Sequence, residues 1–257
     1  DAPALKHANI GIAMGKSGTD VARESSDLIL TDDSFGSIIN GVEEGRVAYD
    51  NIRKVIHLLI STGFAEIVLI LLSMLFFLPI PLLPVQLLWL NLVTNGVQDV
   101  ALGLEEAEPG VLKRKPRNPK EAIFNKIMIS RVIVGGLYMG ISAFALFYTL
   151  LNFGYTEDSA RNLTLLLMVL FENVHVFNSR TESHSIFKIN HAKNKFLWIS
   201  VLVAQALHVG SMYTPFMQSV LNIQPVNLKV WGILFVIALV LVAVMEVEKV
   251  IRKRRTV

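Results

Sequence analysis

The chain has 257 residues, 53% of them hydrophobic and only 18% charged, with a formal net charge of +3 and a mean hydropathy of +0.51. That is too apolar for a water-soluble domain of this size and points to a membrane protein. The absence of cysteine excludes disulfides, thiolate metal sites and cysteine nucleophiles.

In chain order, the first stretch differs from the rest. Charges are scattered among short apolar runs over residues 1–50, so a small soluble head is expected there, with a membrane part over 51–257. Within the head, 10–14 and 28–30 read as short strands, and 20–25 as a helix with Thr19 as its cap. Strand, helix, strand is the order of a parallel α/β sheet. Ser34 is expected to cap a long helix that runs through Val42 and Val47 directly into the first membrane span. The chain opens Asp1-Ala2-Pro3, with neither an initiator Met nor a signal peptide, and is read as a piece of something longer.

A spanning helix needs roughly 20 mostly apolar residues. Six such stretches are expected, at 54–78, 82–104, 127–151, 163–179, 196–213 and 228–245, and no Lys or Arg occurs between Val55 and Leu112. The connections after the first, third and fifth spans carry Arg161 as their one basic residue. The alternate connections carry Lys113, Arg114, Lys115, Arg117, Lys120 and Lys126, then Arg180, Lys188, Lys193 and Lys195, and the tail adds Lys249 and Arg252 to Arg255. By the positive-inside rule those loops, the head and the tail lie in the cytoplasm, so both ends are cytoplasmic. The pI of about 9.1 then follows from topology and anionic lipid, and no nucleic-acid partner is expected.

Three acids fall within the six spans: Glu66, Asp99 and Glu172, with no Lys or Arg in the span cores to pair with them. An ionisable group at membrane depth costs about 2.5 to 3.5 kcal/mol on insertion scales, so such groups mark ion paths or proton relays. In the second span Asn91, Asn95 and Asp99 recur every four residues, with Thr94 and Gln98 on the adjoining strip, an oxygen-rich stripe in an apolar helix. Amide, hydroxyl and carboxylate oxygens suit hard cations such as Ca²⁺, Mg²⁺, Na⁺ or K⁺. Gly96 is expected to let this helix open locally and present carbonyls to the ion. His175, Gln205 and His208 read as helix-to-helix hydrogen bonders, and Trp89, Trp198, Tyr213 and Trp231 as interfacial anchors or packing.

The head resembles the segment that follows "TGDGVN" in the phosphorylation domain of P-type cation ATPases. It carries "DAPALK" at 1–6, "IGIAMG" at 10–15, "GT-VA" at 18–22 and "DD-F" at 32–35; the likeness continues through "VEEGR" at 42–46, "PVQLLWLNLVTNG" at 84–96 and "KRKPR" at 113–117. It covers the whole chain and points to the type II branch, which includes calcium and sodium pumps. The implied fold is mainly α: a polytopic membrane protein with a six-helix transmembrane bundle, the fifth to tenth helices of the family, preceded by a small α/β remnant of a HAD-like phosphorylation domain. The implied function is the C-terminal half of an ATP-driven cation pump, with a non-catalytic membrane fragment or regulatory module as the alternative. A channel or secondary transporter would have no use for the motifs at 1–35.

The resemblance assigns Asp1 to the catalytic Mg²⁺ beside the phosphorylated Asp, and Glu66, Asn91, Thr94, Asn95 and Glu172 to the transported cation. Asp99 joins them as a substitute charge, because Asn95 stands where calcium pumps place a shared Asp, and Gly63 where they place an Asn. Asp99 lies one turn on, about 6 Å along the axis. The implied ligands are Mg²⁺ and ATP in the full-length protein and a transported cation, with Ca²⁺ ahead of Na⁺, K⁺ or H⁺. The implied partners are that cation, the lipid bilayer and the missing N-terminal half, in the plasma (inner) membrane. By itself the chain lacks the phosphorylated Asp and the nucleotide-binding domain, and no ATPase activity is expected of it.

Overall fold

The computed structural model describes residues 2–108, 110–118, 121–182 and 184–255. The chain divides into two compact units, Asp1–Tyr49 with Ala107–Pro116, and Asp50–Glu106 with Arg117–Val257. The Mg²⁺ role expected of Asp1 falls outside the described residues.

The first unit opens with a helix that the sequence reading did not anticipate, α1 (Ala2–His7). Pro3 in its first turn fixes φ where no N–H is needed, which suits a helix start. Then come β1 (Ile12–Met14), α2 (Asp20–Glu24) and β2 (Leu28–Leu30). The strands pair in parallel, with Ala13 opposite Ile29, as the strand-helix-strand order requires. Thr19 caps α2 by accepting from the Ala22 N–H at 3.2 Å. Arg23 on α2 donates to the carbonyls of Gly15 and Gly18, both at 2.7 Å, tying the helix to the turn that precedes it. A Cβ at Gly11 would sit 2.5 Å from the Leu5 carbonyl oxygen, so only glycine lets α1 approach β1 this closely.

Past β2, Asp33 has φ 54°, and its carboxylate accepts from the backbone N–H of Lys16 at 2.8 Å and of Ser17 at 2.7 Å. These donors, Lys16 first, hold the carboxyl down at about 2. The start of the long helix is held by Asp32 and not by Ser34, a correction to the expected cap. The Asp32 carboxylate accepts from the Ser34 N–H at 3.1 Å and the Ser37 hydroxyl at 2.6 Å. That helix, α3 (Phe35–Leu75), is one unbroken element of 41 residues. Near its start Arg46 donates to the carbonyls of Val111, Leu112 and Arg114 at 2.8, 3.2 and 3.0 Å, so two motifs far apart in sequence, at 42–46 and 113–117, meet in one clamp.

Five helices are long and apolar enough to cross a membrane: α3, α6 (Lys126–Asn152), α7 (Glu157–Ser179), α8 (Lys195–Tyr213) and α10 (Leu228–Arg255). α6 and α8 match their expected spans to within one residue, α3 ends three residues before 78, α7 begins six residues before 163 and α10 runs ten residues past 245. The remaining expected span, 82–104, is helical in three pieces: α4 (Pro84–Leu88), a π-helical stretch (Trp89–Thr94) and α5 (Asn95–Gly103). A short α9 (Pro215–Leu221) follows α8.

The second unit is built around α7. In its most apolar window 89% of residues are buried, against 22 to 39% for the other four helices, although its hydropathy is the lowest of the five. This helix is buried almost all round while carrying Glu172, Asn173, His175 and Asn178, so these polar side chains face protein and not lipid. It packs against α6 and α10, and α5 packs against α8. Small residues set the spacing of α3 and α6: a Cβ on Gly140 would lie 2.7 Å from both the Ala65 carbonyl oxygen and the Val68 Cβ. Replacing Gly140 by Ala is therefore expected to cost about 1–3 kcal/mol of stability. Thermal unfolding of the full-length protein in detergent checks this against Gly232→Ala, where nothing lies within 4 Å and no loss is expected.

Arg131 lies inside the expected span 127–151 and Lys54 at the start of 54–78, and both are buried. Arg131 on α6 is 3% exposed and donates to the Asn178 carbonyl at 2.9 Å. Its position four residues inside an expected span end made it look like an interfacial residue.

Candidate cation site

The site is assembled on the interrupted helix. In a π-helical stretch the chain takes an extra residue per turn, which shifts the phase of the side chains that follow and often marks a functional position. The opening lies over Trp89–Thr94, immediately before the position expected of it, while Gly96 is α-helical. The single stripe read from the sequence is accordingly divided between two neighbours.

Asn91 and Asn95 reach α3. Asn91 donates to both carboxylate oxygens of Glu66, at 2.9 and 3.1 Å, and to the Leu87 carbonyl at 3.0 Å. Asn95 donates to the Thr62 hydroxyl at 3.2 Å. Thr94 and Gln98 reach α7. The Thr94 hydroxyl hydrogen-bonds Glu172 Oε2, and the Gln98 amide donates to Asn173 at 2.6 Å. Asn173 passes the chain on to Gln205 of α8 at 2.7 Å. Glu66 and Glu172, from α3 and α7, thus meet the same interrupted helix at Asn91 and Thr94, three residues apart. Glu172, Thr94 and Asn95 are fully buried, whereas Glu66 and Asp99 are half-buried and Asn91 is exposed.

What the site lacks is donors. Glu172 Oε1, Asn95 Oδ1, Gln98 Oε1 and Asp99 Oδ1 are buried oxygens with no hydrogen-bond partner among the described residues. A buried acceptor left without a donor costs about 1–3 kcal/mol, and more when it is charged. Four of them lie on α5 and α7, each a hard oxygen acceptor of the kind that cations take as ligands. Among the described residues no three acidic or imidazole side chains gather into a ready-made metal cage.

Sequence reading missed Asn173 and the inward half of Gln98, because an amide on a helix face shows its partner only after the helices pack. It also missed His57. This residue accepts from or donates to the Ser179 hydroxyl at 2.9 Å, and its ring stands 5.1 Å from that of His175. His175 does not make the hydrogen bond expected between helices: neither of its nitrogens has a partner among the described residues. Gln205 and His208 do, the latter through the Trp89 indole N–H at 3.1 Å, so Trp89 is tied into the bundle at the start of the π-helical stretch.

Residues 79–251 match the model of the family described as cation transporting ATPase, C-terminus. The chain belongs to that family. It is 40% identical over 227 residues to the calcium-transporting ATPase of Bacillus subtilis (strain 168), covering 86% of the chain and 25% of that protein. It is 37% identical to the cation-transporting ATPase pma1 of Synechocystis sp., over 91% of the chain and 26% of that protein. With the probable cation-transporting ATPase F of Mycobacterium bovis the identity is 32%, over 99% of the chain and 28% of the relative. The chain therefore spans between a quarter and a third of the length of these relatives. As a C-terminal portion of a P-type ATPase it is an integral membrane protein.

Proposed function

We propose that this chain supplies part of the intramembrane cation site of an ATP-driven pump, and that the cation is Ca²⁺. One observation carries the reading: four buried oxygens on α5 and α7 lack a donor, and two of them belong to carboxylates. Hard oxygen ligands of mixed charge favour Ca²⁺ among the common cations, and the Bacillus subtilis relative named above is called a calcium-transporting ATPase. Glu66, Asn91, Thr94, Asn95, Asp99 and Glu172 are the ligands or the immediate supports of ligands. Further ligands would come from a membrane helix outside this chain.

In the full-length pump, ATP and Mg²⁺ would act at the phosphorylation domain, with Asp1 near the Mg²⁺; that role rests on the resemblance of the head motifs. The long helix α3 would carry the movement of the head to Glu66. The alternation of basic connections supports both ends lying in the cytoplasm, and a plasma-membrane location goes with it.

ATPase and phosphorylation assays of the full-length protein against a panel of Ca²⁺, Na⁺, K⁺ and H⁺ test the ion. Stimulation by micromolar Ca²⁺ is expected. Asn95→Asp, which adds a charge at a buried position, is expected to lower the Ca²⁺ requirement by about tenfold while leaving monovalent ions with less effect. Stimulation by a monovalent ion alone, unaltered by Asn95→Asp, would replace Ca²⁺ with that ion.

A further inference from the structure

Away from the cation site, a groove of about 810 Å³ opens between the start of α6 and the end of α10. Its walls are apolar, from Ile127 and Val134 on one side to Val244, Val247 and Ile251 on the other. Val247 is 56% and Ile251 48% exposed, so this wall faces the surroundings of the bundle, which for membrane helices is lipid. From Lys126 to Val134 the wall runs about 12 Å along the helix, the reach of the upper part of an acyl chain.

The polar end of the groove holds one feature the fold does not explain. Glu248 is 6% exposed. Its Oε1 accepts from the Ser130 hydroxyl at 3.0 Å and from Arg252 Nε at 3.2 Å, but its Oε2 is buried without a partner among the described residues. A carboxylate oxygen so placed wants a donor, preferably a cationic one. Arg252 cannot turn to supply it without loss, since its Nη2 donates to the Glu182 carbonyl at 2.8 Å. Lys126 stands exposed at the rim.

We propose that this groove binds a phospholipid with a primary-amine zwitterionic headgroup, of the phosphatidylethanolamine type. Its ammonium donates to Glu248 Oε2, its phosphate lies on Lys126, and one acyl chain covers Val244, Val247 and Ile251. The charge pattern selects this headgroup. An anionic headgroup without an amine leaves Glu248 Oε2 without a donor. A choline headgroup has the same net charge as ethanolamine but no N–H to give the carboxylate. Basic residues at the ends of membrane helices commonly receive lipid phosphates, and the orphaned carboxylate adds the selection for the amine.

Native mass spectrometry of the full-length protein, released from nanodiscs holding equal amounts of phosphatidylethanolamine, phosphatidylcholine and phosphatidylglycerol, tests the proposal. We expect retained phosphatidylethanolamine to exceed phosphatidylcholine by about tenfold, the ratio one charge-assisted hydrogen bond supports. In Glu248→Gln, which keeps an oxygen for Ser130 and Arg252 but replaces Oε2 with an amide donor, that excess should vanish. Val247→Trp, which fills the groove, should reduce retention of all three lipids. Equal retention of the ethanolamine and choline lipids by the unaltered protein would overturn the proposal, as would preferred phosphatidylglycerol. So would an ethanolamine preference that survives both substitutions, since the lipid would then lie elsewhere.

Discussion

Glu172→Gln is expected to raise the cation concentration needed for half-maximal phosphorylation by about 100-fold. The side chain is fully buried in the central helix, Thr94 holds one of its oxygens and the other has no partner. The substitution keeps size and shape and removes the charge a cation would meet. Loss of a buried charged partner is worth about 2–5 kcal/mol in comparable desolvated pairs, and about 2.7 kcal/mol corresponds to 100-fold. Thr94→Ala, which frees the carboxylate from its support, should cost about tenfold. The cation-free protein should respond in the opposite direction: a neutral amide is cheaper to bury than a carboxylate, so Glu172→Gln is expected to melt at the same temperature or higher. Lower stability together with unchanged cation dependence would make Glu172 a packing residue.

The largest expected effect on stability lies at the C-terminal end of α7. Arg180 is 2% exposed and Glu105 is 8% exposed. The guanidinium donates to Glu105 through Nε at 3.1 and 3.0 Å and through Nη2 at 2.5 Å. The same carboxylate accepts from Asn194 at 2.8 Å, and Asn194 also caps α8 through the Leu197 N–H at 2.8 Å. On the α3 side, Asn51 donates to the Glu105 carbonyl at 2.7 Å. Glu105 therefore joins α3, α5, α7 and α8 just beyond the interrupted helix. Arg180→Ala strands a buried carboxylate and is expected to cost about 3–5 kcal/mol. The double substitution Glu105→Ala with Arg180→Ala should recover part of that loss, because neither charge is then left alone. Thermal melting of the full-length variants in detergent, set beside the exposed pair Lys193–Glu106 at 3.4 Å, where under 1 kcal/mol is expected, checks both numbers.

Much of the fold is legible in the chain because its signals are local or compositional. Turn glycines and short apolar runs mark β1 and β2, Thr19 marks α2, and length with hydropathy marks α3, α6, α7, α8 and α10. The π-helical stretch is not legible. Residues 84–103 read as one polar-striped helix opening at Gly96, and the irregular turn over 89–94 leaves no trace in a polar repeat of four. Asn91 and Asn95 turn to α3 and Thr94 and Gln98 to α7, so the polar residues could be chosen from sequence while their partners could not.

Buried polar pairs are hidden for a related reason. His57, Arg131 and Arg180 all sit within a few residues of an expected span end, where composition suggests interface and water. Packing against α7 places them inside, where each meets a group far away in sequence: Ser179 for His57, Asn178 for Arg131 and Glu105 for Arg180. Such pairings depend on which helix faces are adjacent, and a single chain's periodicity gives the faces but not their neighbours.

A structure of the full-length protein at saturating Ca²⁺, with anomalous diffraction to identify the ion, bears most directly on the membrane site. Anomalous density touching Glu172 Oε1 and an oxygen of the α5 stretch is what we expect. A Ca²⁺ ion held away from α5 and α7, with Glu172 met only by Thr94 and water, would refute it.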